Sequence, residues 1–342
     1  MGMQVKPQLL RVALVAALLA RPLSDAEAKT LEVGPTHELK TPSAAAAIAA
    51  AGDVVEIEPG EYFDCAVWRV GPLTILGKGP GVVVTDKTCQ AKGIFIIDGN
   101  DFIVRNITFA RARVPDGNGA GIRFEGKNLT VEGSRFIDNE SGILAATDSP
   151  NSTIRIVNSE FDRNGKCARS CAHALSVAQV LLLHVEQSKF TGTRGGHHVR
   201  SRALRTELVG NRIEDGPDGT SSYLVDIPNG GSLAMQGNRL EKGPGTTNSK
   251  AAVMIGEEDH LQPTIEFRLT NNLFINDSGQ HTAFVLNWGD ADAEVAGNQL
   301  QGSVTEVSSQ GLWLHEIRSS LRGTKEWAVE AAKSVARRIQ SW

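Results

Sequence analysis

The stretch His198-Val-Arg-Ser-Arg202 gathers side chains suited to work on an acidic sugar. If Val199 points into a core, the period-2 alternation of a strand turns His198, Arg200 and Arg202 outward onto one face. The chemistry open to such a face is removal of the C5 proton of a uronate. That proton becomes removable only when positive charge neutralises the adjacent carboxylate and stabilises the enolate-like intermediate, and Arg200 and Arg202 could supply that charge. His198 or Tyr223 could then act as base, with the other group as acid toward the glycosidic oxygen in a lyase; a C5-epimerase would instead return a proton from the opposite face. These four residues are the candidate catalytic set. His173, His197, Asp226, Glu257 and Glu258 are the candidate substrate-binding neighbours.

The same residues admit other roles. A hydrolase would need two carboxyl groups ~5 to 9.5 Å apart, for which Asp226, Glu257 and Glu258 are available. A binding protein would need only the basic face. His197 and His198 could be turn residues after Gly195-Gly196, His173 a structural neighbour of Cys171, and Asp226 a turn-former before Ile227-Pro228. Arg200, Arg202 and Arg205 could form a solvated ladder with Glu207 and neighbouring acids. Glu257-Glu258-Asp259 reads as a solvated loop; calcium is the one ion it leaves open, and no metal site is assigned.

Residues this far apart meet only if the chain stacks upon itself, and a repeated phrase predicts that it does. Its copies include Phe102-Ile-Val-Arg-Asn-Ile-Thr-Phe109, Leu129-Thr-Val-Glu-Gly-Ser-Arg-Phe136, Ile154-Arg-Ile-Val-Asn-Ser-Glu-Phe161 and Leu183-His-Val-Glu-Gln-Ser-Lys-Phe190. Looser copies end at Ile213, Leu240, Phe274 and Leu300, each with Asn two positions earlier: Asn211, Asn238, Asn272 and Asn298. The spacing is about 25 residues, in the solenoid range. Each copy alternates as a half-buried strand and then bends at the Asn or Ser, which should form a hydrogen-bonded ladder between coils. A second strand recurs in each unit, as in Tyr223-Leu-Val-Asp226 and Ala252-Val-Met-Ile255. The expected fold is therefore all-β, a right-handed parallel β-helix over 29–310. Sandwich and propeller alternatives lack hairpin signals and blade-length repeats.

A stack needs caps at both ends. Thr41 can N-cap a short helix with Pro42 at its first position, continuing from Ser43 to Ala51, and Asp53 to Tyr62 then reads as the first strand. In the tail 311–342, Thr324 to Ser341 carries Trp327, Ala331, Val335 and Ile339 at a spacing of four, the stripe of a C-terminal capping helix.

At the N-terminus, the apolar run Leu9 to Ala20 and the triplet Ala26-Glu27-Ala28 read as a signal peptide over 1–28, cut near Ala28, which places the mature chain in the periplasm or outside the cell. No segment is long enough for a membrane span. In that compartment Cys65 should pair with Cys89 and Cys167 with Cys171; a metal site of Cys167, Cys171, His173 and His184 is the alternative. With 342 residues, 35 glycines and a net charge of -4, the chain can build a large core but offers no basic stripe for nucleic acid. It is expected to act as a monomer on an acidic polysaccharide.

The helix and the segment Gly52-Asp-Val-Val-Glu-Ile-Glu-Pro-Gly-Glu-Tyr62 resemble the N-terminal region of secreted β-helix proteins of the pectate lyase-like superfamily, and the repeats look like their coils. That resemblance spans roughly residues 30 to 305 and implies the fold. Residues His198 to Ala203, followed by Glu207 to Ile213, are similar to the catalytic rung of the chondroitinase B and alginate lyase family, with Arg200 on the position of the catalytic lysine. The family's catalytic arginine, one rung later, has no counterpart, since no Lys, Arg or His occurs between Arg212 and Arg239.

Overall fold

A computed structural model of the chain describes Gly2 and residues 28–309, apart from 148, 259–261 and 290. Most of the expected signal peptide, and all of the expected helix Thr324 to Ser341, lie outside the described residues.

The repeated phrase folds as two strands separated by a sharp bend. Phe102–Arg105 enters a first sheet, Thr108–Ala110 a second, and Ala120–Phe124 a third, after which Leu129–Glu132 lies parallel on Phe102–Arg105 with Val131 opposite Val104. Repeated along the chain, this makes parallel sheets of 11, 10 and 10 strands, a right-handed parallel β-helix. The residue before each bend position lies in the left-handed region: Asn106, Gly133, Asn158, Gln187, Gly210, Gly237, Asn271 and Gly297 have φ between 48° and 66°. Asn and Gly tolerate that conformation best, and it turns the chain within a single residue.

The next residue forms the expected ladder. The Asn211 backbone N–H and side-chain amide donate to Asn238 Oδ1 at 2.9 and 3.0 Å. Asn238 repeats both bonds to Asn272 Oδ1, and Asn272 to Asn298 Oδ1. Serines continue it upward, with the Ser188 N–H on Asn211 Oδ1 at 2.9 Å and the Ser159 N–H on Ser188 Oγ at 3.1 Å. Beside the ladder, Phe109, Phe136, Phe161 and Phe190 stack with centroids 5.3, 4.7 and 4.4 Å apart and fill the interior.

The N-terminal end differs in detail from the expectation. A strand Thr30–Val33 precedes Val54–Ile57 and pairs with it, so Asp53 to Tyr62 is not the first strand, and it divides into Val54–Ile57 and Gly60–Tyr62. Thr41 caps the helix through Oγ1, with Pro42 at its start, but the helix is only Pro42–Ala46. It stops early because the chain turns at Ala50, whose N–H donates to Asp53 Oδ2 at 2.9 Å.

Both expected disulfides form, Cys65–Cys89 and Cys167–Cys171. This removes the metal alternative, and His184 instead meets Glu207 at 2.9 Å. Cys65–Cys89 ties residues 24 apart in sequence, and replacing both cysteines by serine should lower unfolding stability by about 3 kcal/mol. Urea titration of the double variant measures that loss.

Candidate functional site

The third sheet carries the candidate residues, and its geometry departs from simple alternation. The chain bends at Ala174, His198 and Leu224, immediately before the strands Leu175–Val177, Val199–Ser201 and Val225–Ile227. Two consecutive side chains then face inward: His198 and Val199 are both 0 % exposed, as are Leu224 and Val225. The outward positions become His173, His197 and Tyr223, followed by Ser176, Arg200 and Asp226.

This corrects the reading of His198 as an outward catalytic group. Its Nδ1 sits 2.7 Å from Thr193 Oγ1 and its Nε2 3.0 Å from Asp215 Oδ1, inside the coil corner. Asp215 also accepts the Gly243 N–H at 3.1 Å. Burial opposes the Asp215 charge, yet the hydrogen bond and charge of His198, with help from Ser221 and Lys242, hold its carboxyl below its usual range. Lys242, fully buried, donates to the Ser222 carbonyl, and burial pulls its ammonium down to about 8 against the pull of Asp215. Sequence reasoning missed Thr193, Asp215 and Lys242. The adjacent apolar pairs Leu224-Val225 and Ala252-Val253 were the available signal, since alternation would expose one member of each.

Outside the sheet, His173, His197 and Tyr223 form a column of stacked rings, with centroids 4.8 and 5.5 Å apart. The His197 N–H donates to His173 Nδ1 at 3.0 Å, and the Tyr223 N–H to His197 Nδ1 at 3.1 Å. Accepting at Nδ1 leaves each neutral imidazole with its proton on Nε2. Burial, then Arg200 and Arg202, pull His173 down to about 3; burial, then His173, Arg200 and Lys242, also hold His197 well below its ordinary value. Burial drives the Tyr223 phenol up to about 12, with the Asn248 hydrogen bond opposing and the Glu257 and Asp226 charges assisting, so it keeps its proton at neutral pH. Its hydroxyl donates to Glu257 Oε1 at 3.5 Å.

Beside this column lies a charged cluster. Arg200 Nε donates to Asp226 Oδ2 at 3.0 Å, and His197 Nε2 faces the same oxygen at 3.4 Å. Asp226 Oδ1 is buried without a hydrogen-bond partner. Both Arg200 and Arg202 also donate a terminal nitrogen to the two oxygens of Glu258. The Arg200, Arg202 and Glu258 side chains are 22, 27 and 43 % exposed, whereas Asp226 is 3 % exposed. All the candidates except His198 thus come together on one outer face. Arg205 pairs with Glu207 and Glu266, whereas Arg200 and Arg202 pair with other acids, Glu258 and, for Arg200, Asp226.

Burial pushes the Asp226 carboxyl up to about 7 from its ordinary 3.8, against the opposing charge and hydrogen bond of Arg200 and with the assistance of Glu257 and Glu258. The folded chain therefore binds a proton that the unfolded chain releases. The stability this contributes is present below the ordinary value and lost as pH rises through about 7. Asp226→Asn should gain stability relative to the parent between about pH 5 and about pH 8, as urea unfolding at the two pH values would measure.

Among the described residues no group of three or more His, Cys, Asp or Glu is arranged to hold a metal ion, and no helix is long and apolar enough to cross a membrane.

Comparison with known proteins shows the same architecture. A family described as right-handed β-helix region matches residues 81–213. An alginate lyase from Paenibacillus sp. strain FPU-7 superposes with a TM-score of 0.53 at 15% identity, covering 81% of this chain and 99% of that one. Pectate lyase Pel9A gives 0.48 at 13% identity over 82% of this chain and 79% of its own. A pectin methylesterase from Aspergillus niger gives 0.36 at 11% identity over 82% and 91%. At 15% identity the likeness to the alginate lyase is one of fold. No curated protein matches the chain by sequence.

Proposed function

We propose that this chain is an exported, carbohydrate-active β-helix protein that binds a uronate-containing polysaccharide across the outer face of its third sheet and acts at C5, as a lyase or an epimerase. The observation that carries this reading is the convergence of Arg200 and Arg202 on one carboxylate, beside a second carboxyl, Asp226, with one unpartnered oxygen. The two guanidiniums would neutralise the uronate carboxylate and stabilise the enolate-like intermediate. Asp226, pushed up to about 7 while Arg200 stays on its Oδ2, is suited to take the C5 proton on its unpartnered Oδ1. In a lyase, the protonated Tyr223 phenol would donate to the leaving oxygen. His197, whose free proton is on Nε2, donates rather than accepts. The two disulfides fit the oxidising compartment that export would supply.

Binding without turnover is the second reading, favoured by the burial of Asp226 and Tyr223. The test is a panel of alginate, glucuronan, pectate and glycosaminoglycans. A lyase raises absorbance in the unsaturated-uronate band, and an epimerase exchanges C5 hydrogen with solvent deuterium. Binding with neither signal leaves the second reading standing, and reducing ends without unsaturation would indicate a hydrolase.

A further inference from the structure

We infer that Glu258 is an internal stand-in for the substrate carboxylate, and that the clamp it fills admits free uronates while rejecting their esters and neutral sugars. This inference rests on the uronate reading of the site. Arg200 lies within the strand Val199–Ser201 and Arg202 immediately after it, and both side chains reach the same Glu258 carboxylate. Each reaches a different oxygen of Glu258, the fork-to-carboxylate arrangement that a bound uronate would need. Glu258 comes from a later coil and is seated by its own backbone, whose N–H donates to the Pro228 carbonyl at 2.8 Å. Its side chain is the most exposed of the three, which lets solvent and ligand reach the carboxylate.

An incoming carboxylate can therefore replace Glu258 charge for charge. A methyl ester or a hydroxyl cannot, because removing Glu258 in its favour takes from Arg202 its carboxylate and leaves Arg200 with the buried Asp226. The occupied clamp also weakens apparent affinity by the fraction of molecules in which Glu258 fills it. Glu258 thus sets both the threshold for binding and the discrimination between acid and ester.

Calorimetric titration of the full chain and of Glu258→Gln and Glu258→Ala with methyl glucuronoside, methyl galacturonoside, their methyl esters and methyl glucoside tests this. Both variants should bind at least one free acid about 10-fold more tightly or better, with no gain for esters or glucoside, and adding Arg202→Ala should abolish the gain. Equal affinity in parent and variants, or an equal gain for the esters, overturns the inference. So does unfolding of both variants, since Glu258 would then serve the fold. Tighter binding of the acids with neither unsaturation nor C5 hydrogen exchange in any polymer would retain this role and remove the lyase or epimerase reading. Polymer turnover indifferent to Glu258 would do the reverse.

Discussion

Arg200→Ala should lower kcat/KM on a responsive uronate polymer by about 100- to 1,000-fold, whereas Arg205→Ala should leave it nearly unchanged. Arg200 is the one residue that touches both halves of the proposed chemistry, with Nε on Asp226 and a terminal nitrogen on the carboxylate in the clamp. Truncating it removes a charge from the carboxylate subsite. It also takes away the cation that pulls the Asp226 carboxyl down, so the rising limb of the pH profile should move to higher pH. Arg200→Lys should recover part of the rate, since it keeps the charge but loses the planar fork. Rates and profile are read on the same preparations, with thermal unfolding as the control for folding. Turnover equal to that of the parent, with an unmoved pH limb, would remove Arg200 from the chemistry. In a protein that only binds, the same variant would lower polymer affinity with no rate to compare.

Asn238→Ala should cost about 4 kcal/mol or more in unfolding free energy, the largest stability loss expected from a single uncharged substitution. The Asn238 side chain accepts from the Asn211 backbone and amide, and donates to the Leu208 carbonyl at 2.8 Å and to Asn272 Oδ1 at 2.9 Å. Alanine takes this bond from the Asn211 N–H and the Leu208 carbonyl, and leaves Asn211 Nδ2 on the Val185 carbonyl and Asn272 Oδ1 on the residue-238 N–H with one partner fewer, at roughly 1 to 3 kcal/mol for each group that stays unsatisfied. Denaturant titration checks this, with Asn298→Ala, near the end of the ladder, expected to cost less. A loss below about 1 kcal/mol would mean that water replaces the amide and that the ladder is not what holds the bend.

The stack was readable because each coil repeats one constraint. A bend residue recurs with an apolar residue two positions later, so Asn211, Asn238 and Asn272 mark the ladder in the sequence, and Phe136, Phe161 and Phe190 mark the interior. The outer face was half readable. Arg200 was legible on it because alternation holds within Val199–Ser201, and Arg202, one residue beyond the strand, meets the same Glu258. Alternation failed one residue before the strand, at His198, where the bend turns two neighbours inward and recruits a histidine to an interior pairing with Asp215. Nothing local marks that pairing, because Asp215 and Lys242 come from other coils and a buried ion looks like any charged residue in one dimension. The link from Glu258 back to Arg200, 58 residues away, was likewise invisible, since it joins side chains from different coils.

That loop comes from an unequal distribution of chain length. Successive Asn rungs are separated by 27, 34 and 26 residues, yet each rung meets the next with the same amide geometry. The surplus of the middle coil is spent in the segment that bears Glu257 and Glu258, without disturbing the frame. Ligand preference and architecture are therefore separately adjustable in this protein: lengthening, shortening or transplanting one such excursion should alter which sugar is admitted while the scaffold folds as before.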